Sequence, residues 1–127
     1  PMMDEQTGLH ADWYFKLRID EEIARAKRYG QPLTVIGISA PSKEALAGIR
    51  RMTQNSLRDV DFAGDLGQQV AVCLPNTSRS GAWNVVARMT ESTRDIDIKL
   101  SEYPGDGATL ASLLGATAGG GIRDFAA

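Results

Sequence analysis

The residues best suited to chemistry lie between Arg58 and Pro75, in the segment RDVDFAGDLGQQVAVCLP. Arg58 and Asp61 form an Arg-x-x-Asp pair, and five residues separate Asp61 from a predicted tight turn at Gly67. A guanidinium fork beside a carboxylate can hydrogen-bond a polar ligand. The same pair can instead serve the start of a strand, and a second Arg-x-x-Asp at 94–97 has no such turn after it. The residue types alone leave both roles open.

A metal site is not predicted near this turn. Asp61 and Asp65 are two neighbouring carboxylates, but the sequence offers no third ligand beside them. His10 is the single histidine, so no histidine cluster can form, and we expect it in an exposed loop. Cys73 is the single cysteine and lies in an apolar run, which predicts a small core residue and excludes an internal disulfide.

Length and composition are typical of one globular domain, with 127 residues, 43% hydrophobic and 24% charged. The net charge of −2 argues against nucleic acid or an acidic membrane as the main partner. No run approaches the roughly 18 apolar residues that a membrane span needs, and the opening PMMDEQ lacks signal-peptide features. We therefore expect a cytoplasmic location. The proline at position 1 predicts that the chain is a fragment of a longer multidomain protein.

Hydrophobic periodicity predicts helices at 12–29, 43–57, 76–93 and 109–118, and strands at 33–39 and 95–102. A hairpin of two further strands is predicted at 60–74, with Gly64 and Gly67 serving turn geometry. Ser42 is the predicted N-cap of the second helix. Trp13 and Trp83 are expected to pack into the core or between helices.

This order is a helix followed by β-α-β-β-α-β, which predicts an α/β (α+β) fold of the ferredoxin-like plait type with an extra N-terminal helix. We expect a four-stranded, mostly antiparallel sheet flanked by helices, with right-handed crossovers. Residues 1–127 form one predicted domain, with a core at 4–118 and a flexible glycine-rich tail at 119–127. Such a fold does not fix a function.

Two motifs carry a more specific resemblance. The first is Asp4-Glu5-Gln6-Thr7-Gly8-Leu9, which lies before the first predicted helix, and the second is the Arg58-x-x-Asp61 pair with its turn and the apolar strand ending at Pro75. In this pattern the chain resembles the GGDEF family of diguanylate cyclases, which join two GTP molecules into cyclic di-GMP. The resemblance runs from Asp4 to about Ala118.

The chain departs from the family where the family's chemistry lies, at Ser39, Pro41, Gly67, Gln68 and Gln69. One glycine of the signature turn is missing, two glutamines replace its acidic residues, and a serine and a proline replace two aspartates after the first strand. Mg²⁺ bound to phosphates needs hard, charged oxygen ligands. The family's substrate-contacting segment and phosphate-binding lysine also have no counterpart. The resemblance therefore implies a degenerate domain with no catalytic residue, metal or cofactor.

The family's Arg-x-x-Asp is its product-inhibition site, or I-site, and the resemblance implies that Arg58 and Asp61 bind cyclic di-GMP. An arginine fork can donate to guanine O6 and N7, and Asp61 can accept from the opposite edge of the base. Arg88 on the third predicted helix matches an assisting arginine of the family. Arg25 or Arg28 of a neighbouring molecule would also be within reach. The predicted function is thus a non-catalytic cyclic di-GMP receptor in bacterial signalling.

The alternative is a ligand-free module for protein interaction or dimerisation, in which Arg88 is an ordinary solvated helix residue. A flanking regulatory domain or a separate protein would be the partner in either case. The sequence leaves that partner's identity and a homodimer open.

Overall fold

A computed structural model of the chain describes residues 1–5, 8–91, 96–109 and 112–113. The elements are α1 (Asp12–Tyr29), β1 (Leu33–Ser39), α2 (Lys43–Ser56), β2 (Phe62–Asp65), β3 (Gln69–Pro75), α3 (Arg79–Thr90) and β4 (Asp97–Tyr103). Their order confirms the predicted one. Residues 6 and 7 of the first motif, Arg94, the tail 119–127 and most of the predicted helix at 109–118 lie outside the described residues.

The four strands form one sheet in the order β2-β3-β1-β4, and every neighbouring pair is antiparallel. The central strand β1 is mostly apolar and almost wholly buried, because helices cover both faces of the sheet. This architecture confirms the predicted α+β plait. Among the described residues, no helix combines the length and the apolarity that crossing a membrane requires.

Alternate residues of the strands enter two separate cores. The core on the α2 and α3 side includes Ile36, Ile38, Val70, Val72, Leu46, Ile49, Val86 and Met89. The core on the α1 side includes Phe15, Ile19, Ala26, Leu33, Val35, Phe62, Cys73 and Leu113. As predicted, Cys73 is a buried core residue, and burial raises the pKa of its thiol well above the ordinary value.

The helix ends follow local sequence signals. Gly30 ends α1 with a φ of 63°, and its N–H donates to the carbonyl of Ala26. Ser42 is the N-cap of α2, as predicted, and its Oγ accepts from the N–H of Ala45 at 3.1 Å. Ser78 caps α3 in the same way. These caps fix where the loops around the sheet begin and end.

The segment before α1 packs against the free side of β2. The N–H of His10 donates to the carbonyl of Ala63 at 2.9 Å, and the N–H of Asp65 donates to the carbonyl of His10 at 3.0 Å. The centroid of the His10 imidazole ring lies 5.5 Å from the centroid of the Phe62 phenyl ring. The expectation of an exposed His10 was therefore wrong, since only 9% of the residue is exposed. Its burial, with the nearby Arg18 charge, lowers the pKa of His10.

Two other expectations were wrong. Trp13 is 55% exposed and takes no part in either core, and it lines a surface pocket with Met3 and Asp65. Gly64 lies within β2 at an ordinary φ and serves close packing, since a Cβ there would come within 2.5 Å of Phe15. Gly67 does serve the turn, with a φ of 92°.

Candidate functional site

Arg58 and Asp61 face each other in the loop between α2 and β2. The Asp61 Oδ2 atom accepts from the backbone N–H of Arg58 at 3.0 Å and from its Nε at 3.1 Å, while Oδ1 accepts from Nη2 at 3.0 Å. The N–H of Asp61 donates back to the carbonyl of Arg58 at 3.0 Å, which closes the turn. The two residues therefore form one compact unit at the start of β2.

The two partners differ in exposure. The Asp61 side chain is fully buried, whereas 57% of the Arg58 side chain is exposed. Hydrogen bonding to Asp61 raises the pKa of Arg58 and keeps the guanidinium charged. Arg58 Nη2 also donates to Thr77 Oγ1 at 3.0 Å. Both carboxylate oxygens of Asp61 thus accept hydrogen bonds from Arg58. Nη1 of Arg58 has no acceptor among the described residues.

Arg58 lines a groove of about 410 Å³ between α1 and the loop before β2. Arg18 and Arg25 of α1 line the same groove, together with the acidic residues Glu22 and Asp59. Ligand sites commonly have volumes of about 300–1,000 Å³. Arg25 therefore reaches the groove from within the same chain, whereas the sequence suggested a neighbouring molecule. The periodicity of α1 places Arg18 and Arg25 seven residues apart on one side of the helix, a signal that sequence reasoning did not use.

Arg88 lies on α3 and does not line this groove. Its Nη2 donates to the carbonyl of Ser56 at 3.0 Å. Ser56 is the last residue of α2, whose final carbonyls have no partner within the helix. In this arrangement Arg88 caps α2 two residues before Arg58.

The positions that the resemblance implies to be degenerate lie near one end of the sheet. Ser39 at the end of β1 pairs with Gln69 at the start of β3. Gln68 and Gly67 form the adjacent turn, where the N–H of Gly67 donates to Asp65 Oδ1 at 2.9 Å. Pro41 lies in the exposed loop after β1. The sequence thus singled out residues that lie near this end of the sheet, but it did not predict the ion pairs around them.

An ion pair that the sequence did not predict neutralises the nearest carboxylate. Arg50 of α2 contacts Asp65 through both ends of its guanidinium, with Nε 3.1 Å from Oδ2 and Nη2 3.3 Å from Oδ1. On the other side of Ser39, Asp97 pairs with Lys99 at 3.3 Å. The described residues contain no group of three side chains able to hold a metal ion.

With the geometry established, solved structures show which fold this is. No protein-family model and no curated protein matches the sequence. A sensory box/GGDEF family protein from Caulobacter crescentus superposes with a TM-score of 0.81 at 22% identity, over 97% of each chain. The GGDEF domain of PA1120 (TpbB or YfiN) from Pseudomonas aeruginosa gives 0.79 at 23% identity, over 96% of this chain and 89% of that one.

The chain has a GGDEF-like fold. A third GGDEF structure, that of DgcB from Caulobacter crescentus in complex with cyclic di-GMP, has a TM-score of 0.76 at 14% identity, over 92% of this chain and 84% of that one. At such identities the likeness establishes the GGDEF-like fold and carries no residue role. The roles of Arg58, Asp61 and Arg88 must be argued from the geometry above.

Proposed function

We propose that this chain is a non-catalytic receptor domain for cyclic di-GMP, acting in bacterial cytoplasmic signalling. The observation that carries the proposal is the Arg58–Asp61 unit, in which a buried carboxylate holds an exposed guanidinium at the rim of a groove. A GGDEF-fold neighbour in complex with cyclic di-GMP supports the choice of ligand.

The groove suits a ligand with two phosphodiester charges and two purine faces. Arg58 presents Nη1 to the ligand, while Arg18 and Arg25 add positive charge on the opposite wall. Arginine forks form strong charge-assisted hydrogen bonds to phosphates and can also donate to guanine. The role of Asp61 here is to position Arg58, because its own oxygens are already occupied. Arg88 supports the site from outside by fixing the end of α2.

The proposal that the domain is not a cyclase is supported by the end of the sheet that holds Ser39 and Gln69. Mg²⁺ held against GTP phosphates needs anionic oxygen ligands. The side chains at the degenerate positions are neutral, and Arg50 neutralises the adjacent Asp65. These features disfavour a divalent cation at this end of the sheet.

The second candidate is a ligand-free interaction module. It is favoured by the hydrogen bonds of Asp61, because both carboxylate oxygens already accept from Arg58 and need no ligand. A further neighbour of the fold, diguanylate cyclase SiaD from Pseudomonas aeruginosa, was solved in complex with its activator SiaC, at 21% identity and over 59% of that chain. A protein partner or a flanking regulatory domain is compatible with both candidates.

Calorimetric titration with cyclic di-GMP tests the proposed function. We expect micromolar binding, about tenfold weaker in Arg25→Ala, since tenfold corresponds to about 1.4 kcal/mol, close to the lower end of the range for one charged hydrogen bond. Arg58→Ala should abolish detectable binding. Arg51→Ala, an exposed arginine of α2 outside the groove, is the matched control and should bind like the unmodified chain. An unmodified chain that gives no heat would favour the interaction module.

A separate assay tests catalysis. Incubation of the chain with GTP and Mg²⁺ should yield no cyclic dinucleotide above background, because no charged oxygen ligands stand at positions 39, 41, 68 and 69. Chromatographic detection of product, with an active diguanylate cyclase as positive control, provides the measurement. Product formation by the unmodified chain would contradict our reading of these positions.

A further inference from the structure

A surface pocket of about 820 Å³ lies where the segment before α1 meets the turn that follows β2. Its lining includes Met3, Glu5, Asp12, Trp13, Asp65 and Gly67, and we call it the N-terminal pocket. It shares no lining residue with the groove of Arg58. Its volume is within the range of ligand sites, but it is an open depression that does not enclose its contents.

Two exposed apolar side chains line the N-terminal pocket. Trp13 is 55% exposed and Met3 is 42% exposed. The rings of Trp13 and Tyr14 meet edge-on with 5.6 Å between their centroids, and this contact orients the indole without covering it. Tryptophan and methionine are enriched where proteins contact each other. The pocket therefore offers an oriented aromatic surface to a partner.

The charge of the N-terminal pocket has one sign. Every charged side chain in its lining is a carboxylate, and these are Asp4, Glu5, Asp12 and Asp65. Arg50 already neutralises Asp65 from outside the pocket. Asp12 pairs with Lys16 at 2.8 Å, but both side chains are 52% exposed, and such surface pairs are weak. Glu5 is exposed and makes no ion pair with another described residue. Glu5 and Asp12 are thus able to pair with a cation from outside.

We propose that the N-terminal pocket binds an arginine of a basic segment of a protein partner. The guanidinium stacks against the indole of Trp13 and pairs with the carboxylates of Glu5 and Asp12. Arginine suits both contacts, because its planar cation stacks on aromatic rings and its several N–H groups donate to carboxylates. Charge complementarity selects a basic segment over an acidic one.

The openness of the pocket favours a protein segment over a free small molecule. A small ligand binds tightly when an enclosed site buries most of its surface, and this pocket leaves much of an occupant in water. A segment of a protein gains further contacts outside the pocket, and tryptophan and arginine are the residues that most often dominate such interfaces. This surface goes beyond the proposed receptor function and requires neither cyclic di-GMP nor Arg58.

Fluorescence anisotropy with the full 127-residue chain tests the inference. The probe is a fluorescein-labelled peptide amide, Gly-Arg-Ala-Arg-Gly, and the control peptide carries citrulline, the neutral isostere, in place of both arginines. At low ionic strength we expect saturable binding of the arginine peptide with a dissociation constant of about 0.1 mM, and none of the citrulline peptide. In a ¹⁵N-labelled chain the arginine peptide should shift the indole signal of Trp13 and leave that of Trp83 on α3 unchanged.

Variants of the lining separate this site from general charge attraction. Glu5→Gln/Asp12→Asn should weaken binding at least about fivefold, and Trp13→Ala about threefold. Asp20→Asn/Glu21→Gln on α1 is the matched control, because it removes the same charge from two exposed residues outside the N-terminal pocket and should bind like the unmodified chain. Circular dichroism of each variant verifies the fold.

Four results would overturn the inference. They are no saturable binding up to about 1 mM chain, equal binding of the citrulline peptide, an equal loss in the matched control, and an indole shift at Trp83 alone. Competition with N-acetylarginine amide distinguishes the occupants. If this small cation displaced the labelled peptide as well as the unlabelled peptide does, the pocket would be a site for a free organic cation and not for a protein segment.

Discussion

Gly64→Ala is expected to destabilise the chain by about 3 kcal/mol, the upper part of the range for overpacked cores. The added Cβ would lie 2.5 Å from both Cβ and Cγ of Phe15, whose side chain is fully buried. These atoms are the base of the ring and cannot swing aside without moving α1 from β2. Urea unfolding followed by circular dichroism measures the change in the free energy of unfolding.

Gly48→Ala is the matched control for this substitution. Gly48 lies within α2, and a Cβ there would meet nothing within 4 Å. Alanine should therefore stabilise the chain by about 0.5–1 kcal/mol through its higher helix propensity. If Gly64→Ala were as stable as the unmodified chain, the close approach of Phe15 to β2 would not exist in solution.

Asp61→Ala is expected to cost about 2 kcal/mol of stability, within the range for hydrogen bonds to charged groups. Three donors of Arg58 lose the Asp61 carboxylate as acceptor, including its backbone N–H, and only Nη2 keeps a second acceptor, Thr77 Oγ1. Asp59→Ala is the control, since this exposed neighbour should change stability by less than about 0.5 kcal/mol. The free energies come from urea unfolding of each variant.

Arg58→Ala belongs to the same experiment, because it leaves the fully buried Asp61 carboxylate with one backbone donor. We expect a similar loss, and the Arg58→Ala/Asp61→Ala chain should lose less than the sum of the two single changes. Additive losses would contradict the ion pair. The double variant is also useful in the ligand titration, because it removes the guanidinium without leaving the buried Asp61 carboxylate unpaired.

The sequence was sufficient to predict the helices and strands and their order, because each element has a local sequence signal. The apolar spacing of α1, the continuous β-branched run of β1 and the serine N-cap of α2 are signals within a few residues of the structure they predict. The sheet topology followed, since few arrangements are compatible with β-α-β-β-α-β. The position of the turn at Gly67 was predictable for the same reason.

The site depended on contacts between residues distant in sequence, which no local rule reports. Arg50 meets Asp65 only because α2 packs beside the hairpin. Arg25 reaches the groove of Arg58 only because α1 crosses β2. His10 is buried because the segment before α1 folds back on the same strand, and its polarity had suggested an exposed loop. Each discrepancy is an effect of tertiary packing.

The backbone of His10 has a consequence for how the sheet meets other molecules. β2 is an outermost strand, and an uncovered outermost strand offers unpaired N–H and C=O groups that recruit strands from other chains. Here the hydrogen bonds of His10 to Ala63 and Asp65 occupy groups on that side. The segment thus covers part of the outer edge of β2 and hinders pairing of that edge with strands of other chains.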